Sequence, residues 1–386
     1  MAGPLADLVV LDLTRALAGP HCGQMLGDLG ARVIKVETPA GGDDSRSWGP
    51  PFVGPDEDIS TYFLSCNRNK ESVTADLKTE AGKIFLGRLI ERADVLIENF
   101  RTGVMDRLGF GVDRMAELNP RLVVLSITGF GHDGPQGGRP GYDQIAQGEG
   151  GIMSITGTDA DHPQRVGVPI ADLLAGMYGA YGILAALHER ERTGKGAVVR
   201  TSLLAAMVGV HAFQGTRYTV AGEVATAQGN HHPAITPYGA FSTADGTVQL
   251  SVGSQALWRK FAPLVRLDPE DPRFASNSQR TARRAELITL IEAVFAEEDS
   301  DHWLTQLDAI GVPAGAIRTL QQVYDWDQTA SQGLLVNVEH PVLGAITLPG
   351  PPLRFDGSER VEHRPPPALG EHDESVRAWL DAGDIA

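Results

Sequence analysis

LVVLDLTRALAGPHCGQMLGDLGARVIKVE, residues 8–37, contains one complete repeat of the local pattern that decides the fold. LVVLDL (8–13) is a short aliphatic run of the length of a buried strand, and ARVIKVE (31–37) is a second. Between them Gly19-Pro20 predicts a helix with proline at its first position, where a missing N–H has no intrahelical partner to lose. The alternation then continues. SVTADL (72–77) precedes a helix expected from Thr79 through Ala93, and the strands DVLIEN (94–99) and LVVLSITGF (122–130) follow. Strands separated by helices predict an α/β fold with an open, mostly parallel sheet.

A long apolar helix, then GAVVRTSLL (196–204) and a further helix to about Val220, complete this first region. From Gly222 the texture changes. GEVATAQGNHHPAITPYGAF is loop-like, and FSTADGTVQLSVG reads as a hairpin turning at Asp245-Gly246. Leu287, Leu290, Ile291, Val294 and Phe295 recur at helical spacing, as do Trp303, Leu304, Leu307 and Ile310. Gly222 to Tyr324 is therefore expected to be a smaller α+β domain. The tail is punctuated by proline and closes with a short helix.

The 386 residues exceed one ordinary core, and 42% hydrophobic with 21% charged content describes a soluble globular chain. A formal net charge of -16 argues against nucleic-acid or polybasic membrane partners. Two cysteines, Cys22 and Cys66, cannot build a disulfide framework. The N-terminus lacks the basic and apolar regions of a secretory signal, so a cytoplasmic location is expected.

One feature stands apart. GVPIADLLAGMYGAYGILAALHERERTGKG (167–196) is apolar almost all round, yet carries Asp172 near its start. A buried charge is expensive unless paired. Asp172 either complements the helix macrodipole or carries chemistry. Ile170 to Leu187 has the minimum length of a membrane span, but Ala175, Gly176, Gly179 and Gly182 suit an internal helix that another backbone approaches closely.

Other motifs weigh less. Gly129, Gly131 and Gly134 match G-x-G-x-x-G, but Pro135, Gly137, Gly138 and Pro140 keep a helix from opening there, so a loop is expected. His231-His232 have no cysteine or carboxylate at ligand spacing, and no metal site is expected. There is no nucleophile elbow and no Walker loop. Arg15, Lys78, Arg101 and Arg107 fall after strand-like segments or beside a helix start, where a parallel sheet gathers phosphorylated ligands.

LDLTRALAGPHCGQMLGDLGARVIKVE, ENFRTGVMDRLGFG, the run 167–196, GVPAGAI and PPPALGEH, in this order, resemble the family III CoA-transferases, the CaiB–BaiF group. The resemblance covers nearly the whole chain. It implies a Rossmann-like large domain (1–221), a small domain (222–324) and a C-terminal return to the large domain (325–386), in a homodimer whose chains interlock like links. It implies no tightly bound cofactor, with coenzyme A and acyl-CoA as substrates. Asp172 matches the nucleophile. CoA contacts carry over onto Arg15, Ala16, Leu17 and Ala18, onto Ala75, Leu77 and Lys78, and onto Asn99, Phe100, Arg101 and Arg107. Tyr142 and Asp143 match the acyl pocket.

With an ordinary pKa of about 3.9, Asp172 would be ionised at neutral pH and need no general base. The expected reaction moves CoA from an acyl-CoA, succinyl-CoA first among them, to a carboxylic or dicarboxylic acid through an aspartyl anhydride and an aspartyl-CoA thioester. Leu17 replaces the glutamine of formyl-CoA users, and their small-domain glycine loop is absent, which argues against formyl transfer. Thr38 stands where an arginine often follows the matched glutamate. The alternative is a 2-methylacyl-CoA racemase, but those use a histidine where this chain has Tyr142, and tyrosine with a pKa near 10 is a poor base. A non-catalytic CoA-binding protein is a third reading, against which the retained Asp172 speaks.

Overall fold

The computed structural model describes residues 3–356 and 361–383. Six parallel strands form the main sheet: β1 (Val9–Asp12), β2 (Arg32–Glu37), β3 (Lys70–Thr74), β4 (Val95–Glu98), β5 (Val123–Thr128) and β6 (Val198–Ser202). Their order is β3-β2-β1-β4-β5-β6. The chain winds outward from β1 through β2 and β3, then returns to the other side of β1 with β4. That reversal makes β1 and β4 neighbours, and open α/β sheets bind their ligands at the carboxyl ends of such a pair.

The crossover helices form as the local signals require. Helix α1 (Ala18–Asp28) joins β1 to β2 and starts two residues ahead of Pro20, so proline occupies its third position. Helix α2 (Glu80–Arg92) is capped by Thr79, whose Oγ1 accepts the Gly82 N–H at 3.1 Å. Helices α3 (Val104–Leu108) and α4 (Val112–Leu118) lie between β4 and β5, and α5 (Asp143–Glu149) follows the glycine-rich segment, which stays irregular. Helix α6 (Ile170–Thr193) begins two residues before Asp172 and ends on Gly194 in the left-handed region.

Helix α6 is long and apolar enough to cross a membrane. Here it packs on the sheet and on α1, with Ala175, Gly176, Gly179, Ala180 and Ile183 buried. The single helix expected to reach Val220 is two, Leu203–Gly209 and Ala212–Ala221, broken at Val210-His211.

The chain divides into two compact units. The first comprises 1–152, 165–223 and 328–386, and contains the main sheet. The second comprises 153–164 and 224–327. Residues 153–164 thus leave the 1–221 segment to which the sequence assigned them. An isolated bridge between Gly157 and Pro163 and the Gly229 N–H bond to Gly157 O at 2.9 Å tie them to the second unit. That unit holds a three-stranded antiparallel sheet, 238–242, 247–251 and 314–316, covered by helices around Phe241, Trp258, Phe261, Leu287, Phe295 and Trp303.

Candidate active site

The loops leaving β1 and β4 meet at the reversal of strand order. Asn99 joins them: its Oδ1 accepts the Arg15 N–H at 3.0 Å and its Nδ2 donates to Arg15 O at 2.8 Å. The Asn99 amide is thus engaged with the neighbouring loop. Glu98, held above its ordinary range by burial, accepts the Phe100 N–H at 2.8 Å. Two of the three expected CoA-contact segments, Arg15–Ala18 and Asn99–Arg101, therefore form one structural unit.

Beneath the first loop lies a buried charge network that the sequence did not disclose. Lys35 donates to Thr14 O at 2.8 Å and pairs with Asp43 at 2.8 Å. Lys70 pairs with Asp12 at 2.8 Å and donates to Pro20 O at 2.8 Å. Burial pushes the Asp12 carboxyl up, but the Lys35 and Lys70 ammonium groups outweigh it and hold Asp12 at about 2. Burial works against the Lys35 charge as well, yet Asp12, Asp43 and Glu37 raise its pKa above the usual lysine range.

The third segment behaves differently. Ala75 is buried and Leu77 packs into the core under α2, so their side chains serve the fold. Leu17 and Ala18 are buried too. Of the named residues, Lys78, Arg101 and Arg107 are exposed and make no ion pair among the described residues. Arg15 is nearly as open, with Asp44 3.9 Å away. Such unneutralised cations on a chain of formal charge -16 favour an anionic ligand locally.

Asp172 sits in the first turn of α6. Its helix approaches α1 so closely that a Cβ on Gly176 would lie 2.5 Å from Ala18 O. Asp172 lies one helical turn before Gly176, on the same face of the helix. The carboxyl does not have the ordinary pKa the sequence suggested. Burial, followed by the neighbouring Asp143 carboxylate, raises it to about 7. At neutral pH the carboxyl is then not fully ionised. This overturns the expectation of a fully charged group.

Asp143 also fixes where that helix begins. Its Oδ1 accepts the Ala171 N–H at 2.8 Å, supplying the cap that Pro169 lacks. Gln147, fully buried, donates to Asp143 Oδ2 at 2.7 Å and accepts the Val166 N–H at 2.8 Å. Tyr142 stands immediately before α5, and it is 65% exposed.

Three further residues escaped the sequence. The Tyr62 phenol is held above its normal range by burial and then by the carboxylates of Asp172 and Asp143, and Trp48 meets it edge-on at 4.9 Å. His21 on α1 lies beside Gly176 and is kept neutral, at about 4, by burial and by Lys70 and Arg68. Nothing in local spacing distinguishes Tyr62, Trp48 or His21. Among the described residues no group of three or more His, Cys, Asp or Glu is arranged to hold a metal.

The family model for CoA-transferase family III matches residues 5–373. This chain belongs to CoA-transferase family III. The succinyl-CoA:glutarate CoA-transferase of Mus musculus is 38% identical over 375 residues, covering 97% of this chain and 85% of the relative. The succinate–glutarate CoA-transferase of Agrobacterium fabrum is 39% identical, covering 98% of this chain and 96% of that one. A crystal structure of a CaiB/BaiF family protein from Brucella suis matches with a TM-score of 0.87 and 41% identity, over 99% of this chain and 100% of the other. The family III chain is thus a CoA-transferase with CoA thioesters as substrates.

Proposed function

We propose that the chain transfers CoA from succinyl-CoA or a similar acyl-CoA to a carboxylic or dicarboxylic acid, with Asp172 as the covalent nucleophile. The observation that carries this reading is the position of the Asp172 carboxyl. In this reading it faces the loop that leaves β1: Asp172 stands at the start of α6, one turn before Gly176, and Gly176 meets Ala18 at the end of that loop. The succinate and glutarate in the relatives' names support the dicarboxylate class.

The ionised Asp172 attacks the thioester carbonyl, the C–S bond breaks, and CoA leaves as thiolate from an aspartyl anhydride. The thiolate attacks the Asp172 carbonyl and releases the donor carboxylate, leaving aspartyl-CoA. The acceptor carboxylate then displaces the thiolate to form a second anhydride. Return of the thiolate to the acceptor's acyl carbon frees Asp172. Retention of CoA makes each return step effectively intramolecular. Lys78, Arg101 and Arg107 hold the phosphates, and CoA comes and goes as a substrate. Tyr142 and Asp143 border the acyl group, with Asp143 also setting the helix start.

Two copies interlock as links in this reading. Apolar side chains left in solvent on α6 and on the helix Ala212–Ala221 support it: Tyr181 is 74% exposed and Val220 83%, with Met177, Leu184, Phe213 and Tyr218 also open. The buried free thiols of Cys22 and Cys66 suit a reducing, cytoplasmic setting.

The test is incubation of the protein with succinyl-CoA and glutarate, with mass spectrometry of the CoA esters and of the peptide bearing Asp172. Glutaryl-CoA and a hydroxylamine-trapped Asp172 adduct are expected; absence of both defeats the reading. A parallel incubation of a 2-methylacyl-CoA in deuterium oxide is expected to show no α-deuteration.

Asp172 attacks only when ionised, so single-turnover acyl transfer should rise with pH through a midpoint near 7. Asp143→Asn removes the carboxylate that helps raise that midpoint while keeping an acceptor for the Ala171 N–H. The profile should shift to lower pH, and an unmoved midpoint would assign the shift to burial alone. Arg101→Ala and Arg107→Ala should each weaken CoA binding roughly tenfold to a hundredfold, the loss of about 1.5–3 kcal/mol for one charge-assisted contact. Titration with CoA and dephospho-CoA shows which arginine holds the 3′-phosphate, because its variant loses the preference between the two.

A further inference from the structure

We infer that the buried pair Lys35–Asp43 positions the CoA-contact loop, acting on its backbone from below without touching the ligand. The inference rests on the CoA reading of the loop Thr14–Ala18. Ala16 has φ 68°, in the left-handed region that a non-glycine residue avoids. Such a conformation persists only where its surroundings over-determine it.

The surroundings here are specific. Asp43 Oδ1 accepts the Ala16 N–H at 3.0 Å, and also the Ser45 N–H at 2.9 Å and the Ser45 hydroxyl at 2.8 Å. Lys35 Nζ donates to Thr14 O at 2.8 Å and pairs with Asp43 Oδ2 at 2.8 Å. Asp43 is itself aligned by its N–H, which donates to Glu37 Oε2 at 2.9 Å, and Arg46 braces Glu37 at 2.7 Å. The backbone on both sides of Arg15 is thereby tethered to β2 and to the turn after it.

A buried ion pair is poor evidence for stability, because an apolar pair of similar volume is often as good. What an apolar pair cannot supply is an acceptor for the Ala16 N–H and a donor for Thr14 O. Lys35 is fully buried, so it cannot reach a ligand directly. Its effect on binding passes through the shape of the loop.

The experiment compares the parent with Lys35→Met/Asp43→Leu, with Asp43→Asn, and with the double variant carrying Ala16→Gly. Each is melted and titrated calorimetrically with CoA. The double variant is expected to fold and to bind CoA at least tenfold more weakly. Asp43→Asn keeps the volume but sets an amide donor against the Lys35 ammonium, and a threefold to tenfold loss is expected. Adding Ala16→Gly removes the penalty of the left-handed turn and should restore much of the affinity without raising the melting temperature. A purely structural role would move melting and leave affinity alone.

Parent-like CoA affinity in the folded double variant overturns the inference. Should the double variant fail to fold, parent-like affinity in Asp43→Asn overturns it equally. A parent that does not bind CoA defeats the functional reading instead, so the two failures are distinct.

Discussion

Asp172→Asn is expected to abolish CoA transfer and leave the protein at least as stable as the parent at pH 8. Removal of a covalent nucleophile from a concerted site lowers turnover by about four orders of magnitude or more. The stability side follows from the raised pKa of about 7. A carboxyl whose folded pKa lies above its unfolded value favours the folded state most when protonated. That contribution is progressively lost as pH rises from about 4 through 7. At pH 8 the parent therefore holds a charge that destabilises it, and the neutral amide does not. Melting curves at pH 5 and pH 8 check this: the parent should lose more between them than the variant does. Substantial turnover by Asp172→Asn, in a preparation shown by mass to be free of the parent residue, would sink the covalent mechanism.

What the sequence revealed was governed by neighbours along the chain. Aliphatic runs announced the strands, and Thr79 announced the start of α2 because its cap is made three residues away, to Gly82. The break after Gly209 carried a local signal as well, a glycine near a helix end, which the apolar pattern on both sides obscured. The strand reversal that brings the loops after β1 and β4 together was not local, and neither was the support beneath it. Lys35 reads as an ordinary lysine in ARVIKVE; its burial depends on Asp12 and Asp43, which only the folded sheet brings together. The same holds for Asp172. Its position was legible through the motif around it, but its protonation depends on burial and on Asp143, 29 residues earlier, a carboxylate recruited to cap its helix. Tyr62 and Trp48 reach this neighbourhood from a segment with no periodic pattern, so composition and spacing could not place them.

Gly176→Val should carry a large structural penalty, and comparison with Gly182→Ala isolates its cause. A Cβ at position 176 would fall 2.5 Å from the backbone oxygen of Ala18. At position 182 it would fall 2.6 Å from Val199 Cγ1, the end of a side chain that can turn aside. A carbonyl that belongs to the start of α1 cannot move without moving α1. Overpacking of this kind costs about 3 kcal/mol, occasionally more, and offsets the roughly 1 kcal/mol that leaving glycine contributes to a helix interior. The net loss is about 2 kcal/mol, and for a unit of this size the melting temperature should fall by about 4–8 °C. Gly182→Ala should melt within about 3 °C of the parent, because its small clash and its gain in helix propensity nearly cancel. CoA affinity separates the pair further. Valine at 176 pushes α6 away from Ala18 and the loop before it, so it should weaken CoA binding even below the melting range, while alanine at 182 should not. Equal melting temperatures and equal affinities for the two variants would mean that α1 and α6 do not approach as closely as Gly176 allows, and the placement of Asp172 beside the loop would fall with that contact.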